Sequence, residues 1–132
     1  MKEYKSSPVG VNYNIEFFGI NERFLDDSTL LRRRLKKYLE QDGFGIMDVS
    51  EKKFNPHGMS IYFLLSESHL AIHTYPEYSC IAIQFYTCRG PNDGKNVIDR
   101  LKQFLKPKYI ALRKEPIIID FKMRKQLGGL EN

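Results

Sequence analysis

The chain has 132 residues, 42% hydrophobic and 13% aromatic, enough to bury one core, so a single domain spanning 1–132 is expected. Its formal charge of +5 comes from positive residues spread along the chain, which argues against a nucleic-acid partner. No early apolar segment resembles a signal peptide and no run approaches the roughly 18 residues that span a bilayer. A cytoplasmic protein without a membrane partner is therefore expected.

In chain order, Val11, Tyr13, Ile15 and Phe17 alternate with Asn12, Asn14 and Glu16, the period-two pattern of a half-buried strand. A helix follows, capped by Asp26, Asp27 or Ser28, lined by Leu31, Leu35, Tyr38 and Leu39, and closed by Gly43. The densest basic run, Arg32, Arg33, Arg34, Lys36 and Lys37, fits the wet face of this helix. Residues 45–54 read as a second strand, and Asn55, Pro56, His57 and Gly58 as a turn. Met59 to Leu65 is almost continuously apolar, which predicts a central strand buried on both faces. Two further strands fit 69–75 and 80–87. A turn and a cap at Asn92 or Asp93 then open a helix with the stripe Val97, Ile98, Leu101, Phe104 and Leu105, stopped at Pro107. One or two strands complete the chain. This order predicts an α+β two-layer sandwich, a mainly antiparallel sheet with two helices on one face. The uncovered face predicts a homodimer.

The stretch "LLSESHLAIHTYPEY" concentrates reactive side chains: Ser66, Glu67, Ser68, His69 and His73. A zinc site built from His69, His73, Cys80 and Cys88 is disfavoured, because residues 69 and 73 of a strand lie about 13 Å apart. No metal is expected. Cys80 and Cys88 are expected to be free thiols. No Gly-x-Ser-x-Gly elbow supports a serine hydrolase. Taken singly, a histidine beside a strand or a buried cysteine is an ordinary structural residue. Taken together, Ser68 at a strand boundary, His73 five positions on, and Cys88 at the end of the next strand suggest one site gathered by the hairpin.

The segment "SESHLAIHTYPEYSCIAIQFYTCRG" resembles the core of the prokaryotic S-adenosylmethionine decarboxylases: a Glu-Ser-His run, Ile-His-Thr-aromatic-Pro-Glu, then Phe/Tyr-Thr-Cys-Gly. The upstream "FNPHGMS" resembles that family's Phe-x-Pro-x-Gly-x-Ser/Thr segment, and the likeness extends over roughly 11–113. The resemblance implies a proenzyme that cuts itself between Glu67 and Ser68 into a β chain of residues 1–67 and an α chain of 68–132. Its α chain would begin with a pyruvoyl cofactor made from Ser68, with no metal and no pyridoxal phosphate. Ser60 and His73 are implied to assist processing, His73 through proton transfer. The ketone is implied to form a Schiff base with the α-amine of a small-molecule substrate, and Cys88 to return a proton to Cα, serving turnover more than self-cleavage. A thiol suits that task because it is ordinarily protonated at neutral pH.

Phe54 and Tyr75 are candidates to stack on an adenine, and Glu77 to accept hydrogen bonds from ribose hydroxyls; as ordinary residues they are core aromatics and a turn carboxylate. Three positions depart from the family pattern. Tyr75 stands where tryptophan is usual, Gln84 where an aspartate is usual, and Arg89 where glycine is common. Alternation puts Gln84, Tyr86 and Cys88 on one face, so Gln84 looks toward the site as a substrate-binding candidate without a charge. The alternatives are a pyruvoyl-dependent arginine or ornithine decarboxylase and an uncut, non-catalytic binding protein.

Overall fold

The structure is a computed structural model that describes residues 4–132; the first three residues of the expected domain lie outside them. In chain order the elements are β1 (Val9–Phe18), α1 (Glu22–Leu25), α2 (Ser28–Gln41), β2 (Ile46–Lys53), β3 (Met59–Leu65), β4 (Ser68–Tyr75), β5 (Cys80–Thr87), α3 (Lys95–Leu105), β6 (Tyr109–Ile118) and α4 (Phe121–Leu127). The strands form one sheet in the order β2-β3-β4-β5-β1-β6, and every pairing is antiparallel. The fold is α+β, as its sequence pattern predicts. Helix α4, which was not expected, follows β6 and buries no side chain.

Helices α2 and α3 cover one face of the sheet. Their apolar stripes, Leu31, Leu35 and Leu39 on α2 and Val97, Ile98, Leu101 and Leu105 on α3, join Val11, Ile15, Phe17, Phe63, Leu70, Ile72 and Phe85 of the strands in one core cluster. The Asp27 carboxylate caps α2 by accepting from the Leu30 amide (3.0 Å), and Gly43 closes it in a left-handed conformation. Of the basic run on α2, Arg32 pairs with Glu51 on β2 at 2.8 Å and Arg34 lies over the Phe104 ring of α3 at 4.7 Å.

Two expectations are corrected. Strand β3 is not buried on both faces: Met59, Ile61, Phe63 and Leu65 are buried, while Tyr62 and Leu64 are 43% and 45% exposed. The helices occupy only one side, so the apolar residues on the other side face outward. The start of α3 is also different. Gly94, not Asn92 or Asp93, stands at its N-cap, because the Asp93 carboxylate is engaged by Arg89 and Thr87 and Asn92 accepts from Lys114.

Gly94 has φ of 85°, and a Cβ there would lie 2.8 Å from Cε2 of the fully buried Phe85. Strain and overlap act together, so Gly94→Ala is expected to destabilise the fold by more than about 1 kcal/mol, read as a lowered urea midpoint.

Candidate active site

The chain makes a two-residue bend between β3 and β4, at Ser66 and Glu67. Ser66 fastens it: its amide donates to the Gly45 carbonyl at 2.8 Å and its hydroxyl approaches the same oxygen at 3.4 Å. A Cβ on residue 45 would lie 2.4 Å from Ser66 Oγ, so any side chain there would turn this hydroxyl away from the carbonyl. The bend presents the Glu67 carbonyl to β5, where the Cys88 thiol donates to it. Next in the chain, Ser68 pairs with Thr87 across the ladder. Its side chain is buried, and its hydroxyl has no hydrogen-bond partner among the described residues. A buried orphan hydroxyl is costly, and such groups in native folds call for a reason.

The segment carrying Cys88 is locked by its neighbour. Arg89 makes two hydrogen bonds to the Asp93 carboxylate, at 2.7 and 2.9 Å, and a third to the Asp42 carbonyl at 2.9 Å. Its guanidinium lies 3.6 Å over the Phe44 ring. Burial alone would raise the Asp93 carboxyl, yet hydrogen bonds from Arg89 and Thr87 hold it below the usual range. The Asp93 hydrogen bonds and charge hold Arg89 more firmly protonated. In the sequence Arg89 shows only as a departure from a glycine pattern; Asp93, four residues on in the same turn, is its one nearby partner, and Asp42 and Phe44 lie in a distant segment.

His73 is elsewhere, which corrects the expectation that it meets Ser68 and Cys88. Residues 68 and 73 differ by an odd number, so their side chains leave opposite faces of β4, and five residues of strand separate them by about 16 Å. The register places Ser68 opposite Thr87 but His73 opposite Ala82. His73 instead pairs with Ser60 on β3, Nδ1 to Oγ at 2.6 Å. Around this pair the structure gathers the other candidates. Phe54, Tyr75 and Glu77 line a cavity of about 350 Å³ together with Ser60 and His73. Phe54 and Tyr75 are 52% and 43% exposed, with ring surface free for a ligand. The turn that positions Phe54 is closed by its amide donating to Gly58 at 2.9 Å, and Glu77 faces His57 Nδ1 at 3.6 Å, beyond hydrogen-bond length. Gln84 lines an adjoining cavity of about 400 Å³ on the open sheet face, again with Ser60 and His73. One chain thus holds two clusters at opposite ends of β4, Glu67, Ser68 and Cys88 at one and Ser60, His73, Phe54, Tyr75 and Glu77 at the other, while Gln84 lies opposite Ala71 at mid-strand.

Between them, Tyr62, His69 and Tyr86 stack in a row across three strands, with centroid spacings of 5.8 and 5.6 Å. Both cysteines are free, and burial pushes the Cys80 thiol up. Among the described residues no group of three or more His, Cys, Asp or Glu side chains could hold a metal ion, and no helix is long and apolar enough to cross a membrane.

The chain matches the S-adenosylmethionine decarboxylase family over residues 12–115. It is 37% identical over 108 residues to S-adenosylmethionine decarboxylase proenzyme 2 of Bacillus anthracis, covering 82% of this chain and 88% of that one. It is 35% identical over 108 residues to the S-adenosylmethionine decarboxylase proenzyme of Brevibacillus brevis, covering 82% and 81%. Its fold is similar to the crystal structure of the adenosylmethionine decarboxylase from Aquifex aeolicus, with a TM-score of 0.76 and 24% identity over 83% of this chain and 91% of that one. The class is therefore an enzyme, a decarboxylase, which sets aside the non-catalytic reading. The chain belongs to the S-adenosylmethionine decarboxylase family.

Burial holds the His69 imidazole below its ordinary value near 6.5, so the folded state favours the neutral ring. The stability this contributes is complete above the ordinary value and is lost as pH falls through the folded one, since the unfolded chain protonates first. The urea midpoint of the wild type is expected to drop more between pH 7.5 and 5 than that of His69→Gln.

Proposed function

We propose that the chain is a proenzyme that cuts itself between Glu67 and Ser68, converts Ser68 into a pyruvoyl group and decarboxylates S-adenosylmethionine for polyamine biosynthesis in the cytoplasm. The observation that carries this reading is the unpartnered, buried Ser68 hydroxyl directly after a carbonyl that the Cys88 thiol already engages. An orphan hydroxyl fits a group destined to be consumed.

In the cleavage, Ser68 Oγ bonds to the Glu67 carbonyl carbon, the Glu67–Ser68 C–N bond breaks, and the hydroxyl proton passes to the freed amine. Negative charge develops on the Glu67 oxygen, where the Cys88 thiol donates, so Cys88 acts as an oxyanion donor during processing in addition to returning a proton to Cα in turnover. Removal of the Ser68 Cα proton then expels the Glu67 carboxylate from Cβ, and water converts the resulting dehydroalanine to a ketone with loss of ammonia. The pyruvoyl group so formed supplies a carbonyl that condenses with an amine and draws off the electron pair released by a departing carboxylate. Cys88 holds a proton at this end of the sheet. Phe54 and Tyr75 offer faces to a purine, and Glu77 offers acceptors to a ribose, which favours a nucleoside substrate over arginine or ornithine.

His73 cannot reach Ser68 of its own chain, so the processing role proposed for Ser60 and His73 requires a second copy. The open face supplies the surface: Tyr62, Leu64 and Tyr75 are exposed beside His69 and Ala71. Two copies packed open face to open face about a twofold axis that runs across the strands would set the Ser60–His73 end of one beside the Glu67–Ser68 bend at the sheet end of the other, giving two equivalent composite sites that meet at the bend and not through the sheet.

Denaturing mass spectrometry of the wild type is expected to show two chains, the second starting at a blocked residue 68, while Ser68→Ala stays whole. Cys88→Ala is expected to slow cutting by about 10²-fold, as loss of an oxyanion donor does. Labelled carbon dioxide should be released from S-adenosylmethionine; release from arginine or ornithine alone overturns the substrate. Composite sites have their own test. His73→Ala expressed alone should remain whole, and co-expression with Ser68→Ala should restore cutting of the His73→Ala chain; a whole chain in the mixture rules out the shared site.

A further inference from the structure

Residues 4–8, which precede β1, lie against the cleavage bend. The Pro8 carbonyl accepts from the Ile119 amide at 3.0 Å, and Ser7 Oγ accepts from the Val9 amide at 3.3 Å, which ties this segment to the end of β6 and the start of β1. Where β1 begins, the backbone runs unusually close to the cysteine: a Cβ on Gly10 would sit 2.6 Å from the Thr87 carbonyl oxygen and 3.3 Å from Cys88 Cα. Glycine is needed for that approach. Tyr4, Ser6 and Ser7 on one wall and Glu67, Cys88 and Arg89 on the other enclose a cavity of about 390 Å³.

Within it, the Tyr4 hydroxyl lies 3.3 Å from Cys88 Sγ. Direction follows from counting hydrogens. A thiol has one, and that of Cys88 is given to the Glu67 carbonyl, so the Tyr4 phenol is the donor and sulfur the acceptor. The phenol is pushed up to about 12, first by this hydrogen bond, and therefore keeps its proton throughout the neutral range. The resulting chain of bonds, phenol to thiol to carbonyl, polarises in one direction, toward the oxygen on which charge must develop.

We infer that Tyr4 is a positioning residue, donating to Cys88 Sγ so that the freely rotating thiol hydrogen is aimed at the Glu67 carbonyl. Nothing in the sequence pattern of the site marks it, because it lies 84 positions from the cysteine and outside every motif. The inference rests on the proposed self-cleavage, and its test separates the two.

Cutting of freshly synthesised chain is followed by denaturing electrophoresis in the wild type, Tyr4→Phe, Cys88→Ala and the double variant. Tyr4→Phe keeps the ring and is expected to slow cutting about tenfold, the loss of one ordinary hydrogen bond, with no further slowing in the Cys88→Ala background. Equal rates for wild type and Tyr4→Phe, or the same slowing with and without the thiol, overturn the inference. In parallel, iodoacetamide labelling of Cys88 is compared in uncut Ser68→Ala and in Tyr4→Ala/Ser68→Ala, with buried Cys80 as internal reference. Labelling of Cys88 alone should rise several-fold; unchanged labelling overturns the contact. If the wild type never cuts, the proposed function falls, and the labelling comparison still decides whether Tyr4 holds Cys88.

Discussion

The hydrogen bond from the Cys88 thiol to the Glu67 carbonyl joins two strand ends that are 21 positions apart, and much of the surrounding structure serves to hold it. On the carbonyl side, the Ser66 amide pins the bend to Gly45, and the absence of a side chain at residue 45 leaves room for the Ser66 hydroxyl. On the thiol side, Arg89 anchors the chain through Asp93 in its own loop and through the Asp42 carbonyl and the Phe44 ring in the turn after α2. A contact fixed from both sides would lose little entropy in the proposed cleavage, which is the condition under which a single donor counts most.

The second organising fact is the direction of β4. A strand displays alternate residues on alternate faces, so it cannot offer Ser68 and His73 to one point. The fold instead distributes them: a concealed hydroxyl at one end of the strand and an imidazole on the open face near the other. The one-sided helix layer has the same effect on Tyr62 and Leu64, which are apolar and yet uncovered. Division of the reactive groups and exposure of the apolar surface are thus two results of one arrangement, a sheet with a single helical layer.

Much of the fold was legible because period-two and period-3.6 patterns report directly on a sheet with one covered face. The strands, the two long helices, the Asp27 cap and the Gly43 stop all have local causes. What misled was local too. The apolar run 59–65 looked doubly buried because sequence records hydrophobicity but not what covers it. Asp93 looked like a helix cap because its partner, Arg89, acts through tertiary geometry. At the site, motif spacing marked Ser68, His73 and Cys88, but it left Ser68 outside a strand read as 69–75; only with β4 starting at Ser68 do parity and register place His73 apart from the others. Tyr4, Gly45 and the reach of Arg89 to Asp42 and Phe44 were illegible for the same reason: each acts through a contact between segments that sequence order keeps apart.

The strand order carries a consequence for a chain severed after Glu67. The first portion would own β1, β2 and β3 and the second β4, β5 and β6, yet β1 lies between β5 and β6. The two pieces would be interlaced, each filling a gap in the other's hydrogen-bond ladder. Scission would leave the fold intact, but renaturation would become a bimolecular event, dependent on protein concentration in a way that the uncut polypeptide is not.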